Sequence, residues 1–422
     1  MTVADLLSDV LGTDVPVAFR AYDGSSFGPA DARTTIVVRS PDALRRIVTA
    51  PDELGFGRAY VAGELEVDGD IFDVMAVADH IQQLRLGPRQ LVAAAKLVGW
   101  AGLKPLPPPP EEARLHGRRH SRARDAAAIA HHYDVSNDFY RMVLGPSLTY
   151  SCAVWHDDTT TLEDAQADKH ELICRKLGLQ PGMRLLDVGC GWGGMLLHAA
   201  EHHGVRAVGV TLSRPQADLA RKRAAERGLS DRVDVRYGDF RDINDGPYDA
   251  ISSIGMFEHV GLSELDAYFR RCRALLRPQG RFLNHGISRP HHAGKMHHHR
   301  WAPSFMGRSF TERYVFPDGE LHEIGNVISA IQRAGFEARH MESLREHYAL
   351  TLRCWVRNLE ANWDDAVAEV GIGRARVWRL YMAAAAWGFE HDDNQVHQVL
   401  ATATTSDDGV ARSGMPLRPE FT

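Results

Sequence analysis

The sequence predicts an α/β fold built on a mainly parallel sheet with helices on both faces, preceded by a smaller α+β N-terminal domain. Three observations lead to this prediction. From Arg184 onward, apolar strand-like segments alternate with helical ones. A glycine cluster begins at Gly189, directly after the first of these strands, and opens the first helix. Four consecutive prolines, Pro107–Pro110, separate an N-terminal part that has its own strand and helix signals.

Length and composition are those of a globular protein with more than one domain. The chain has 422 residues, of which 44% are hydrophobic and 25% charged. A formal net charge of -6 argues against a general nucleic-acid binder, so we expect no nucleic-acid partner. The five cysteines lack metal-type spacing, which favours reduced thiols in a cytosol and no metal site. No charge-free apolar run approaches the ~18 residues of a membrane-spanning helix, and Asp5 and Asp9 argue against a signal peptide. We therefore expect a cytoplasmic protein.

The N-terminal domain is predicted to span residues 1–103. Its expected elements are a helix at Val3–Leu11, strands near Val15–Tyr22 and Thr34–Arg39, a helix starting at Pro41 with Ser40 as N-cap, and a helix near Ile71–Ile81. Residues 104–124 indicate a Pro/Arg-rich linker. Its basic part, Arg114–Arg124, is either a solvated link or a patch for anionic lipid head groups.

The main domain is predicted to span residues 125–404, followed by a flexible tail at 405–422 that is rich in Ser, Asp, Gly and Pro. Expected strands are Arg184–Val188, Arg206–Val210, Arg232–Tyr237, Tyr248–Ile254 and Arg281–Gly286, and expected helices are Met195–His203, Arg214–Gly228 and Ser263–Leu276. Ligands of such sheets bind at the carboxyl ends of the strands, near the switch in strand order.

The glycine cluster by itself fits more than one interpretation. Gly189, Gly191 and Gly194 satisfy the dinucleotide fingerprint G-x-G-x-x-G, and a tight turn without any ligand is a further alternative. However, the next strand ends in Thr211-Leu212-Ser213 and lacks the acidic residue expected about 20 positions on for a nicotinamide-cofactor ribose. Asp187, two residues before Gly189, is placed as in the class I methyltransferase motif, which this stretch resembles, and an acidic group there suits the ammonium of adenosylmethionine.

A set of motifs spread over residues 130–360 is more specific than the glycines. They are Tyr133–Tyr140, Leu148–Trp155, Leu186–Gly194, Thr211–Gln216, Ser253–Gly261, Asn284–Ile287, Arg313–Gly319 and His347–Leu352. Together they resemble the cyclopropane fatty acid synthase and mycolic acid methyltransferase family. The N-terminal domain also looks like the extra domain of the phospholipid-acting members. Met-Phe-Glu-His-Val-Gly and Tyr-Ser-Cys-Ala-x-Trp are the two most specific matches.

The resemblance implies a class I methyltransferase (Rossmann-like) fold and S-adenosylmethionine as methyl donor. The cofactor-binding residues that it implies are Tyr133, Tyr150, Ser151, Asp187, Gly189, Gly191, Gly193, Thr211, Leu212, Ser213, Gln216, Gly238 and Asp239.

The resemblance further implies methylation of the cis double bond of an unsaturated fatty acyl chain. An alkene that takes a methyl cation becomes a carbocation, which aromatic faces can stabilise. Tyr150, Trp155, Phe257 and Phe316 are candidates, although core packing explains each equally well. The family is described as using bound bicarbonate as the base, and the implied catalytic set is Cys152, Glu258, His285, Ile287 through its backbone, and Tyr348. In the alternative interpretation, Glu258 caps a helix and Cys152 is a small buried apolar residue.

Several points stay open at this level. The carbocation can give a cyclopropane or a methylene-branched (10-methylene type) fatty acid. The Ala/Arg-rich composition and the Arg313–Gly319 block resemble actinobacterial members of the family, some of which make methylene-branched fatty acids, so the resemblance favours the latter product, for which a separate reductase would be a partner. Alternative functions are a small-molecule methyltransferase of the same fold and a non-catalytic lipid-binding relative. The expected substrate is an unsaturated phospholipid at the inner face of the membrane, and a homodimer is left open. The histidine-rich stretch 291–299 is expected to be a solvated loop rather than a metal site.

Overall fold

The computed structural model describes residues 1–82, 88–99, 104–113, 121–122, 124, 135–157, 159–291, 309–317, 319–406 and 410–421. Its contacts divide the chain into two compact units, each assembled from three stretches. The first unit comprises Met1–Arg114, His292–Pro317 and Leu359–His391, and the second comprises Leu115–His291, Asp318–Asn358 and Asp392–Thr422. This division differs from the consecutive domains expected from the sequence, in which residues 359–391 belong to the main domain.

The helices, in chain order, are α1 (Val3–Leu11), α2 (Pro41–Thr49), α3 (Glu53–Val61), α4 (Ile71–Gln82), α5 (Pro88–Val98), α6 (Asn137–Leu144), α7 (Leu162–Leu177), α8 (Gly194–His203), α9 (Arg214–Glu226), α10 (Leu265–Leu275), α11 (Phe310–Tyr314), α12 (Ile324–Arg333), α13 (Arg345–Ala361), α14 (Trp363–Val370) and α15 (Ile372–Glu390). Short 3-10 turns lie at Phe240–Asp242, Phe257–His259 and Leu262–Glu264. None of the helices within the described ranges is long and apolar enough to cross a membrane.

The strands are β1 (Ala18–Ala21), β2 (Ser26–Phe27), β3 (Thr35–Val38), β4 (Leu65–Asp68), β5 (Arg184–Val188), β6 (Arg206–Thr211), β7 (Val233–Tyr237), β8 (Tyr248–Ile254), β9 (Leu276–Arg289), β10 (His322–Glu323), β11 (Glu337–Ser343), β12 (Gln395–Thr402), β13 (Thr405–Ser406) and β14 (Ala411–Arg412).

The first unit contains a four-stranded sheet in the order β2-β1-β3-β4. Helix α15 packs against α3 and α4, which explains why residues 359–391 belong here. Arg376 of α15 donates to the Glu66 carboxylate on β4, and Arg379 donates to the Tyr60 hydroxyl at 3.2 Å. Ser40 stands at the N-cap of α2 as predicted, but its side chain makes no capping hydrogen bond.

The second unit is built on a sheet in the order β11-β12-β9-β8-β5-β6-β7, with β10 beside β9. Strands β9, β8, β5, β6 and β7 are parallel, whereas β12 runs antiparallel between β9 and β11. Leu186 points into a core cluster that includes Phe269 of α10, and its neighbour Leu185 points into one that includes Ile173 of α7. Because successive side chains of a strand face opposite ways, helices cover both faces of the sheet. The predicted mainly parallel α/β fold is confirmed.

The C-terminal segment differs from the flexible tail expected at 405–422. Strands β13 and β14 pair with each other, and Met415 and Phe421 pack against the α7–α8 side of the core. These two apolar side chains attach the described part of this segment to the core, although most of its residues are exposed.

Candidate active site

A cavity opens at the carboxyl ends of β5, β6 and β8. The chain runs outward from β5 to β6 and β7, then returns to β8 on the other side of β5, so the cavity lies at the switch in strand order. The predicted cofactor residues that line it are Tyr150, Ser151, Asp187, Gly189, Gly191, Thr211, Leu212, Gln216 and Gly238. Tyr133 lies outside the described residues.

The glycine loop presents bare backbone to this cavity. Gly189 and Gly191 have φ angles of +80° and +53°, in the left-handed region that favours glycine. A Cβ on Gly191 would meet no atom within 4 Å, because it would project into open space. A side chain at this position would therefore occupy volume that a ligand needs.

The loop after β6 is held together by its own side chains. The Thr211 hydroxyl donates to Gln216 Oε1 at 2.7 Å and accepts from the Ser213 N–H at 3.2 Å. Ser213 does not line the cavity; its hydroxyl caps α9 by accepting from the Gln216 N–H at 3.4 Å. This arrangement leaves Thr211, Leu212 and Gln216 facing the cavity, with Ser213 in support.

Two other predicted cofactor residues, Gly193 and Asp239, do not line the cavity. Gly193 is the N-cap of α8, and a Cβ there would come within 3.1 Å of the Ala220 Cβ on α9. The Asp239 carboxylate binds the guanidinium of Arg241. Burial raises the pKa of the Asp239 carboxyl, but the hydrogen bonds with Arg241 outweigh that effect and hold the pKa below its usual range. The structure therefore brings Gly193 and Asp239 to the site without exposing them in the cavity.

Asp187 and Lys169 are buried residues of opposite charge that both line the cavity. Asp187 accepts a hydrogen bond from the Ser252 hydroxyl at 2.7 Å, and burial raises its pKa to about 6. Lys169 Nζ donates to the Ser151 hydroxyl at 3.0 Å. Burial lowers the pKa of Lys169 to about 8, against the opposing effect of the Asp187 charge.

Lys169 and its neighbour His170 were not predicted as site residues, but both line the cavity from α7. A signal for them existed. They occupy the buried helical stripe whose other members are Leu162, Ala165, Gln166, Ile173, Cys174 and Leu177. Two ionisable residues on such a stripe indicate a polar cavity beneath the helix.

Glu258 lies in the 3-10 turn that follows β8, and His285 lies within β9; neither side chain lines the cavity. Glu258 Oε1 accepts the backbone N–H of Ile287 at 2.7 Å, and burial raises the pKa of this carboxyl to about 7. Glu258 Oε2 and His285 Nε2 are buried and have no hydrogen-bond partner among the described residues. The structure thus joins the predicted residues Glu258 and Ile287 directly and places His285 two residues before Ile287 on β9.

A buried chain of side chains sets the tautomer of His285. Lys176 Nζ donates to Gln398 Oε1 at 2.7 Å, and Gln398 Nε2 faces His285 Nδ1 at 3.2 Å. Because an ammonium can only donate, the Gln398 amide must turn its oxygen to Lys176 and its NH₂ to His285. Burial lowers the pKa of His285 well below its ordinary value, so the ring is neutral. Its proton therefore resides on Nε2, the atom without a partner.

Cys152 and the backbone of Tyr348 share one hydrogen-bond acceptor. The Leu344 carbonyl accepts from the Cys152 thiol at 3.6 Å and from the Tyr348 backbone N–H at 3.1 Å. Burial raises the pKa of Cys152 well above its usual value, so the group stays a thiol. The ring centroids of Tyr150 and Tyr348 lie 5.3 Å and 5.9 Å from that of Trp355, which makes a continuous aromatic cluster.

The four aromatic candidates are not equivalent. Tyr150 lines the cavity, whereas Phe257 is buried in the core. The indole N–H of Trp155 donates to the His347 carbonyl at 3.1 Å. Phe316 belongs to the first unit, where its ring packs on Tyr381.

A glycine loop after the first strand of a mainly parallel sheet, an acidic residue at the end of that strand and a hydroxyl–amide pair after the next one define a class I S-adenosylmethionine-dependent methyltransferase. The class is borne out by similarity to known proteins. A family model described as mycolic acid cyclopropane synthetase matches residues 120–399. The chain belongs to this family and is an enzyme, a methyltransferase of the cyclopropane synthase type.

Individual relatives extend the similarity over nearly the whole chain. A probable fatty acid methyltransferase of Mycobacterium tuberculosis is 45% identical over 431 residues, which cover 99% of this chain and 98% of the relative. The cyclopropane-fatty-acyl-phospholipid synthase of Escherichia coli K12 is 32% identical over 381 residues, or 90% and 89% of the two chains. The solved structure of the mycolic acid cyclopropane synthase CmaA1 complexed with SAH and CTAB is 36% identical, has a TM-score of 0.60, and covers 66% of this chain and 98% of its own.

Proposed function

We propose that this enzyme adds a one-carbon unit from S-adenosylmethionine to the cis double bond of an unsaturated fatty acyl chain of a phospholipid, through a carbocation that bound bicarbonate deprotonates. The substrate class is supported by the names of the two curated relatives, a fatty acid methyltransferase and a fatty-acyl-phospholipid synthase. The reaction mode rests on Glu258 and His285.

The observation that carries the proposal is the buried pair of unsatisfied atoms, Glu258 Oε2 and His285 Nε2. Buried polar groups are almost always paired, and leaving one unpaired costs about 1–3 kcal/mol. A carboxylate oxygen accepts, and the Nε2–H of the tautomer fixed by Gln398 donates. Bicarbonate fits because it can both donate and accept hydrogen bonds. Cys152 and Tyr348 complete the proposed set, and the Ile287 backbone takes part by holding Glu258 Oε1 in place.

The chain itself supplies binding, cation stabilisation and protection from side reactions. The backbone of Gly189 and Gly191 and the side chains of Thr211 and Gln216 would hold S-adenosylmethionine, which supplies the methyl cation. The ring of Tyr150 lines the cavity, and ring faces attract a nearby carbocation. A thiolate beside that cation would be alkylated, so the raised pKa of Cys152 protects the enzyme. Bicarbonate, when bound, supplies the base that takes up the proton.

We also propose the product, the partners and the location. The product is methylene-branched, of the 10-methylene type, or else a cyclopropane, with a separate reductase as partner for the former and a homodimer as the assembly. The enzyme would work on the inner face of the membrane from the cytoplasm. Mass spectrometry of fatty acids from a host fed labelled methionine would identify the product.

Within the basic segment, Arg122 is exposed but paired with Asp242, and Arg124 is 8% exposed, so Arg124 is not available to lipid head groups.

The test of the reaction mode is Glu258→Gln, which keeps size and removes the charge. Turnover on unsaturated phospholipid vesicles should fall by ~10²–10⁴-fold, the usual cost of a misplaced general base. Affinity for S-adenosylmethionine should change little, because its proposed contacts lie on other residues. Glu264→Gln, on an exposed 3-10 turn six positions away, is the matched control. Full turnover in Glu258→Gln, or a parent enzyme indifferent to bicarbonate added to carbon-dioxide-depleted buffer, would disprove this mode and leave the fold and cofactor class unaffected.

A further inference from the structure

Helices α7 and α8 pack together and present a cluster of nitrogen, sulfur and oxygen ligands that methyl transfer does not use. Glu171 and Cys174 come from α7, and His198 and His203 come from α8. Glu171 Oε2 lies 3.2 Å from His198 Nε2 and 2.8 Å from His203 Nε2. The ligand atoms of Cys174, His198 and His203 all lie within 4.8 Å of one another.

We propose that these four residues form a structural Zn²⁺ site. Thiolate, imidazole and carboxylate are the ligand types that Zn²⁺ takes in proteins, and four protein ligands are typical of closed, structural sites. With metal–ligand bonds of ~2.0–2.3 Å, tetrahedral geometry places ligand atoms roughly 3.3–3.8 Å apart. The separations among Cys174, His198 and His203, and those from Glu171 Oε2 to the two histidines, bracket that spacing. Side-chain rotations, the largest at Glu171, would bring all four atoms onto one ion.

The surroundings suit an ion that enters from solvent and is then held. Cys174 is fully buried at the bottom of the cluster, while the side chains of His198, His203 and Glu171 are 14%, 19% and 27% exposed. Arg175 Nε donates to Glu171 Oε1 at 2.9 Å, which orients the carboxylate and leaves Oε2 towards the histidines. On binding, Zn²⁺ displaces the thiol proton of Cys174, which passes to the buffer.

The proposed ion would join the two helices that shape one wall of the methyl-donor cavity. Lys169 and His170 of α7 and Gly194 and Met195 of α8 line that cavity. The metal bridge, about one helical turn from these cavity residues, would fix the spacing between α7 and α8. No metal site was predicted from the sequence, because the cysteines lack metal-type spacing. The four proposed ligands lie on two separate helices, and only the folded arrangement brings them together.

Cobalt is a direct probe of this site, because a Co²⁺–thiolate bond gives a charge-transfer band in the near ultraviolet that imidazole and carboxylate ligands do not. The full-length protein, stripped with chelator, should bind one Co²⁺ per chain with that band, and Zn²⁺ should displace it and raise the thermal midpoint. The band should be lost in Cys174→Ser and weakened in His203→Gln. Cys354→Ser, another buried cysteine on a helix, is the control and should retain it.

Two outcomes would overturn the proposal: no stoichiometric band in the parent, or a band that survives in Cys174→Ser. The histidine-rich stretch 291–299 contains no cysteine, so metal bound there gives no thiolate band and is distinguished in the same titration. Calorimetry with S-adenosylmethionine would establish that Cys174→Ser is folded. If Cys174→Ser does not fold, His198→Gln, which keeps all the cysteines, is used in its place. Loss of this ligand should alter the band, and an unaltered band would overturn the proposal.

Discussion

Gln398→Glu tests whether the buried hydrogen bonds from Lys176 through Gln398 to His285 determine which ring nitrogen of His285 carries the proton. In the parent, the Gln398 NH₂ donates to Nδ1 and the ring proton is on Nε2, facing the proposed anion. A carboxylate at position 398 can only accept, so it draws the proton to Nδ1. Lys176, whose Nζ is 2.7 Å from the amide oxygen in the parent, favours the charged form of the new side chain. The substitution therefore reverses the tautomer with almost no change in volume.

The size of the effect follows from the hydrogen bond at stake. A donor or an acceptor placed against a buried imidazole nitrogen biases the tautomer by about 1–3 kcal/mol, the cost of leaving that atom unsatisfied. That bias corresponds to roughly a 5–150-fold change in population. Turnover scales with the fraction of molecules in the competent state, so we expect a loss of about the same factor.

The assay has two parts, turnover on unsaturated phospholipid vesicles at about pH 8 and ¹⁵N NMR of labelled histidine, with the His285 signal assigned from its loss in His285→Asn. Gln332→Glu, at an exposed position of α12, is the control for the change from amide to carboxylate and should behave like the parent. A parent His285 protonated on Nδ1, or an Nε2 proton retained in Gln398→Glu, would refute the tautomer argument. A reversed tautomer with unchanged turnover would instead refute the role of His285 as a donor.

Three further predictions follow from the same site and from the basic segment. Gly191→Val places a branched residue at a φ of +53° with its side chain in the cavity, so calorimetry should show S-adenosylmethionine binding at least ~10-fold weaker; parent-like affinity would contradict the cofactor assignment. Because burial raises the pKa of Asp187 to about 6, its carboxylate is lost as pH falls through that value, and affinity for the donor should drop between pH 7 and 5 in the parent but not in Asp187→Asn. Changing Arg118, Arg119 and Arg122 to Ser should weaken vesicle co-sedimentation at low salt by ~1 kcal/mol per residue at most, and equal sedimentation would exclude an electrostatic contribution.

The strands that surround the cofactor cavity could be predicted from the sequence because they are continuous apolar segments that end in turn residues. The predicted bounds Arg184–Val188 and Tyr248–Ile254 agree with β5 and β8. Strand β12 was not predicted. Its interior carries His397 and Gln398, which interrupt the apolar pattern and are stabilised by partners far away in the chain, such as Ser288 and Lys176. Local periodicity contains no information about such partners.

The same distinction holds for the candidate site. Residues within motifs, such as Gly191 and Thr211, line the cavity because a short stretch of chain determines their conformation. Lys169 and Gln398 contribute through contacts made only in the folded sheet, and Lys176 meets Gln398 across 222 positions. A pattern confined to one segment cannot reveal a hydrogen bond of that separation.

The three-part assembly of the first unit has a consequence for the newly made chain. Arg376 of α15 binds Glu66, which precedes it by 310 positions. A ribosome adds about 5–20 residues per second, so Glu66 emerges roughly 15–60 s before its partner is synthesised. During that interval the surfaces of α3 and α4 that α15 will cover are open to water. The nascent N-terminal region is thus exposed to aggregation, or dependent on a chaperone, for most of the time that translation takes.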